Sequence, residues 1–318
     1  MRRPVPSRHR TRPMVTTVKQ EIPGLSNGIG RLSGFFENRT TRPGLLARRA
    51  LGRLTDSDHG LRDRLIREMR GETRLDGSFG GAAVPTIWRV IELMELGHHD
   101  DQAGVIRVIG WVLNLQEQPG AFGEGCTDQR HRNKVCEHFI GGFFSAAPPN
   151  ERLSPVSLPS GKVFRSEGAA RFAISCLALR AALMAGNESR PAIQRHLESL
   201  AVLRETWTSW DGYFTPDAIV SALGALAVAP PPFRDLLPDL TGFIAQHQSA
   251  DGTWPDADLF HVLDALVAAG TLSAKLAVCQ AVPALLEHQR ADGGFGSTAP
   301  EERALIGLRA LLWARTRG

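Results

Sequence analysis

The chain has 318 residues, of which 42% are hydrophobic and 22% charged, enough for a full core and too balanced for wholesale disorder. No apolar run is long enough to span a membrane, and the first twenty residues lack the apolar segment of a secretory leader. The net charge of +4 is an arginine charge concentrated in residues 1–53, because only four lysines occur. Nucleic-acid binders usually carry a basic stripe on the folded body instead. A cytoplasmic protein with no nucleic-acid partner is expected, with peripheral membrane contact left open. Four cysteines are too few for a disulfide scaffold in a chain of this length, so reduced thiols are expected.

In chain order, residues 1–55 read as a basic, largely disordered tail and lead-in, and residues 56–318 as one folded domain. A Gly-x-aromatic turn then recurs: Gly77-Ser-Phe79, Gly120-Ala-Phe122, Gly212-Tyr-Phe214, Gly252-Thr-Trp254 and Gly293-Gly-Phe295. Gly161-Lys-Val-Phe164 fills the third place as a copy one residue longer. Successive aromatic spacings are 43, 42, 50, 40 and 41 residues, enough for two ordinary helices and two connections per unit. Pro85, Pro216, Pro255 and Pro300 open apolar helical patterns after four of the turns, as proline at a first helical position would. Gly97, Gly186 and Gly270 end three helical patterns downstream of the turns, where glycine supplies a left-handed cap. The prediction is an all-α chain of roughly twelve helices.

The insertion after the second turn, residues 123–165, is expected to be an irregular lid. It opens with Cys126, His131, Cys136 and His138, two thiols and two imidazoles within thirteen residues. Zinc favours such tetrahedral sulfur and nitrogen donors, so a metal site is expected here, structural if all four bind. Cys126, Cys136 and His138 are the trio for an open, catalytic site. Phe143 and Phe144 follow in the Pro-, Ser- and Gly-rich part and are candidates for capping a cavity.

Comparing equivalent helix positions within the chain singles out the fifth unit. Where sister helices carry Trp88, Ile219 and Arg303, it carries Asp258; where they carry Ile91, Ala222 and Ile306, it carries His261. An acid and an imidazole three apart share a helix face, and on a core-facing strip they are costly unless paired or used. Asp264 extends that strip.

Three turns carry the fuller signature Gln-x3-Gly-x-aromatic, beginning at Gln116, Gln248 and Gln289. This resembles the QW-type repeat of the terpenoid cyclase and protein prenyltransferase superfamily, over about residues 60–315. The resemblance implies six helical hairpins closing into an (α/α)6 toroid around an apolar cavity for an isoprenoid chain. Within it, Pro255-Asp256-Ala-Asp258-Leu259-Phe260-His261 is similar to the DxDD segment of class II cyclases, with Leu259 in place of the last aspartate. That likeness implies Asp258 as Brønsted acid, Asp256 beside it and His261 as relay, with Trp88, Phe143, Phe144 and Phe260 about the substrate. The same segment resembles the zinc-histidine region of prenyltransferase β-subunits, but no cysteine occupies their Asp-x-Cys position near Asp217.

Three functions follow as expectations. The first is a terpenoid-cyclase-like enzyme acting on an isoprenoid by acid initiation. The second is a zinc-dependent enzyme, with a partner subunit if it transfers prenyl groups. The third is a non-catalytic toroid that binds a lipid or a protein. No DDxxD motif occurs, and no nucleotide cofactor is expected.

Overall fold

The computed structural model describes residues 22–98, 103–116, 118, 140–205, 207–211 and 216–316. The described residues are mostly helical: α1 (Leu25–Phe36), α2 (Arg42–Ala50), α3 (Asp56–Gly71), α4 (Ala83–Glu95), α5 (Ala103–Leu113), α6 (Glu167–Met184), α7 (Pro191–Arg204), α8 (Pro216–Leu226), α9 (Leu237–Gln246), α10 (Leu259–Ala269), α11 (Leu272–Glu287) and α12 (Pro300–Arg315). The one hairpin pairs β1 (Val156–Ser157) with β2 (Val163–Phe164), antiparallel. No described helix is long and apolar enough to cross a membrane.

The even-numbered helices are neighbours in chain order: α4 packs on α6, α6 on α8, α8 on α10 and α10 on α12. α12 then packs against α1 and α2, and the odd-numbered helices lie against this series. α6 and α8 are buried on nearly every face, which explains why their apolar residues show no single stripe.

Local chemistry sets the boundaries. Thr41, Ser166, Asp258 and Thr271 each cap a helix by accepting a backbone N–H with the side chain. Gly97, Gly186 and Gly270 end their helices at φ of 75°, 69° and 68°. Pro216 and Pro300 stand at first helical positions, whereas α4 begins two residues before Pro85 and α10 four residues after Pro255. The later start of α10 makes Asp258 its N-cap rather than a residue of its first turn.

Three described copies of the repeated turn share one geometry, whereas those at Gly120 and Gly212 lie outside the described residues. Gly77, Gly252 and Gly293 have φ of 94°, 87° and 89°, and a Cβ on each would lie 2.3 to 2.5 Å from the carbonyl oxygen of Arg107, Gln280 or Arg31. Glycine is therefore required twice over, for the left-handed backbone and for the close approach to the neighbouring helix. The glutamine amides work alike. Gln248 donates to the Gly252 and Ala277 carbonyls, and Gln289 to those of Gly293 and Gly28.

This geometry corrects three expectations. Gln116 pairs with Phe144, in the manner of Thr73 with Phe79 and Gln289 with Phe295, whereas Gly120 and Phe122 lie outside the described residues. Gly142, at φ 74°, supplies the close approach, its Cβ position lying 1.9 Å from the Ala192 carbonyl. The second turn is thus Gln116…Gly142-Phe143-Phe144, with a long insertion inside the turn instead of after it. Gly161 belongs to the β1–β2 hairpin against the start of α12, not to a repeat turn. Finally, residues 25–50, read as part of a disordered lead-in, form α1 and α2. Their arginines pair with acids of the body: Arg39 with Glu301, Arg42 with Glu92, Glu95 and Glu302, and Arg48 with Asp58.

Candidate functional site

Between the even-numbered helices lies a cavity of about 50 Å³. Arg42 of α2, Trp88, Ile91 and Glu95 of α4, and Leu177 and Arg180 of α6 form one side. His261 and Asp264 of α10 and Glu302, Leu305, Ile306 and Arg309 of α12 form the other, and Leu158 and Ser160 of the hairpin close it. The wall therefore holds three arginines and three carboxylates among apolar side chains. They are paired: Arg180 with Asp264 at 2.9 Å, Arg309 with Glu95 at 3.0 Å, and Arg42 with Glu95 and Glu302. Burial pushes the Glu302 carboxyl above the usual glutamate range, and does the same to Glu92 behind it, against the pull of Arg42.

His261 reaches the cavity from the first turn of α10. Burial lowers its basicity, which keeps the imidazole neutral, although Asp217 nearby works the other way. Its Nε2 lies 3.3 Å from the Ser221 hydroxyl, which itself donates to the Asp217 carbonyl at 2.6 Å. The ring of Phe164 meets His261 edge-on at 5.7 Å. Trp88 presents a buried indole N–H without a hydrogen-bond partner.

Asp258 is placed otherwise than the sequence suggests. Its Oδ1 accepts from the backbone N–H groups of Phe260 and His261, both at 3.0 Å, and its Oδ2 accepts from Arg303 at 2.9 Å. It is not part of the cavity wall. Arg303 also donates to the carbonyls of Ser160 and Gly161, so it clamps the helix cap to the hairpin. Asp256 is exposed at φ 55°, a left-handed turn position that aspartate tolerates better than most residues.

The aromatic candidates also separate. Trp88 lines the cavity, whereas Phe260 packs against Phe295 at 5.2 Å, with the Arg303 guanidinium 4.9 Å from the centre of the Phe260 ring. Phe143 and Phe144 are buried in the second turn, where the Phe144 N–H donates to Ser175. None of these three phenylalanines is on the cavity wall. Cys126, His131, Cys136 and His138 lie outside the described residues, and the described residues contain no group of three or more His, Cys, Asp or Glu able to hold a metal.

Sequence comparison within the chain did not single out Arg42, Arg180, Glu302 or Arg309. Arg180 carried a signal, as the one charge within the apolar run Phe172–Gly186. The other three sit in Arg- or Glu-containing segments that read as solvated.

The fold is like that of a type II terpene cyclase of known structure. The structure superposes, at TM-score 0.55 and 15% identity, on a variant of the type II terpene cyclase MstE from Scytonema in complex with geranylgeranyl dihydroxybenzoate, its substrate. That match covers 91% of this chain and 97% of the other. A second MstE variant, in complex with its product merosterolic acid A, matches at TM-score 0.54 and 16% identity over 91% and 96% of the two chains. A protein from Actinoplanes matches at TM-score 0.56 and 14% identity, over 92% of this chain and all of the other. No protein-family model and no curated protein matches the sequence.

Proposed function

We propose that the chain is a terpene-cyclase-like enzyme acting on an isoprenoid, with the cavity among the even-numbered helices as its reaction space. The observation that carries this reading is the match, over nearly the whole chain, to a cyclase that holds a geranylgeranyl substrate. In this reading the hairpins α1–α2 through α11–α12 form an (α/α)6 toroid, closed where α12 meets α1 and α2.

The proton source in this proposal is Glu302 rather than Asp258. An initiating acid must keep its proton near neutral pH and present it to the substrate. Glu302 is on the cavity wall, where burial outweighs the pull of its partner Arg42 and raises its affinity for a proton. Asp258 spends both oxygens on a helix cap and on Arg303. The neutral His261 is then the base that takes up the proton lost from the cyclised cation. Incubation with geranylgeranyl dihydroxybenzoate, read by mass spectrometry and chromatography, tests the assignment. Glu302→Gln is expected to abolish product while Asp258→Asn keeps it at reduced stability. The reverse outcome with both variants folded would return the acid to Asp258.

A second reading, a non-catalytic toroid, is favoured by the size and charge of the same cavity. At about 50 Å³ it has room for a few waters, whereas ligand pockets run to roughly 300–1,000 Å³. The enzyme reading thus requires the β1–β2 hairpin, held by Arg303 and by the Lys162–Asp217 pair, to leave the mouth. Absence of product from every polyene offered, including with Lys162→Ala, would favour the non-catalytic reading. The zinc site at Cys126, His131, Cys136 and His138 is a separate proposal resting on spacing alone. It expects about one zinc per chain by elemental mass spectrometry of untagged protein.

A further inference from the structure

A groove between the end of α3 and the start of α5 differs from the central cavity in its charge. Its volume is about 280 Å³, and it is lined by Arg67, Arg70 and Arg107, with Thr73, Ala103 and Gly104 between them. No described lining residue is acidic. Among the described residues no carboxylate pairs with any of the three guanidiniums, and Arg67 donates to the Asp63 carbonyl of its own helix. The nearby acids are committed elsewhere: Glu68 to Arg64, Glu72 to Arg89, and Asp76 to the N–H and hydroxyl of Ser78.

Two of the arginine stems are seated. Arg70 lies with Cγ and Cδ at 3.3 and 3.4 Å from the place a Cβ on Gly104 would occupy. Arg107 has its Cγ 3.2 Å from the corresponding place on Gly77, whose turn packs on the Arg107 backbone. Glycine at both positions lets the stems lie flat, so ordering the guanidiniums on a ligand costs less side-chain entropy. Ala103 and Gly104 belong to the first turn of α5, whose N-terminal end adds partial positive charge.

We infer that this groove binds a phosphoryl group, by a route independent of the cyclase reading. Three arginines around one groove, two of them with seated stems and none paired with a carboxylate among the described residues, match the oxygens of a phosphate, which guanidinium groups bind two at a time. Leu75, 97% exposed at the tip of the adjoining turn, and Ile106, 53% exposed beside Arg107, put apolar surface next to the groove. The phosphate could be carried by a phospholipid or by a soluble molecule, and two probes separate these sources.

The full chain is titrated calorimetrically with inorganic pyrophosphate, and sedimented with phosphatidylcholine vesicles with and without phosphatidic acid. Binding to at least one probe is expected, weakened about tenfold or more in R70A/R107A and unchanged in R62A, an exposed arginine paired with Asp63. Phosphatidic-acid-dependent sedimentation that is lost in L75S assigns a lipid headgroup, and pyrophosphate binding alone assigns a soluble ligand. With folding checked by circular dichroism, equal binding by wild type and R70A/R107A would overturn the inference. So would a tenfold gain in D100N/D101N, because the acidic pair preceding Ala103 in sequence would then be the native counter-charge.

Discussion

His196 is fully buried among apolar neighbours, with both ring nitrogens unpartnered and Phe144 tilted against it at 6.0 Å. Burial pushes its imidazole down to about 3. Because the folded form resists protonation, its contribution to stability is complete above the unfolded value of about 6.5 and is lost as pH falls toward 3. At pH 5 the loss is about 2 kcal/mol. His196→Leu is therefore expected to flatten the dependence of unfolding free energy on pH between about 6.5 and 5, as urea melts would register. Asp58 works at lower pH. The Arg48 guanidinium holds its carboxyl at about 2, so the stability it supplies is present above about pH 4 and disappears as pH falls toward 2. Thermal melts of wild type and Asp58→Asn should diverge above pH 4 and converge near pH 2. His196 could not have been chosen from sequence, since nothing local separates a buried histidine from one on a helix surface.

At the scale of elements, the turns and the loop before α6 are the informative pieces. Gly252→Ala must place a methyl 2.5 Å from the Gln280 oxygen at a left-handed φ, and a loss of about 2 kcal/mol or more is expected. Gly142→Ala should cost at least as much, because the methyl would fall 1.9 Å from the Ala192 oxygen. A near-neutral Gly142→Ala in denaturant melts would refute its place in the second turn. The loop after that turn, expected as a lid, is tied down by Arg171, which is buried and donates to the carbonyls of Ala147, Pro148 and Glu151. Glu167, one turn earlier on α6, accepts from the N–H groups of Leu153 and Ser154. Arg171→Met strands those carbonyls and the Glu167 charge, and should destabilise the protein by roughly 3–5 kcal/mol. Proteolysis within residues 145–155 should accelerate with it. The regular turns were legible in the sequence because glutamine, glycine and aromatic fall within seven residues. The second was misread because its halves are separated by an insertion that carries its own Gly-x-Phe.

For the whole molecule, Arg42 ties α2 to the last helix. This guanidinium, 4% exposed at the start of α2, pairs with Glu92 and Glu95 of α4 and Glu302 of α12. Removing it takes away the guanidinium that Glu302 faces and leaves Glu92 and Glu95 with only Arg89 and Arg309, so Arg42→Met is expected to lower stability by about 3–5 kcal/mol. A urea midpoint unchanged from wild type would show that the packing of α2 on α12 rests on apolar contacts alone. The helical class, the glycine caps and the Gln–Gly–aromatic turns were determined by the sequence itself, because each depends on residues within one or two helical turns of each other. The partners of the arginines were decided only by the tertiary structure, and with them the charged lining of the cavity and the order in α1 and α2. Arg42 meets Glu302 across 260 residues, and a pairing so distant leaves no periodicity to read. The same holds for Asp258. Its spacing from His261 marked a polar strip, but whether its carboxyl faced a cavity or capped a helix depended on where Arg303 and the hairpin came to lie.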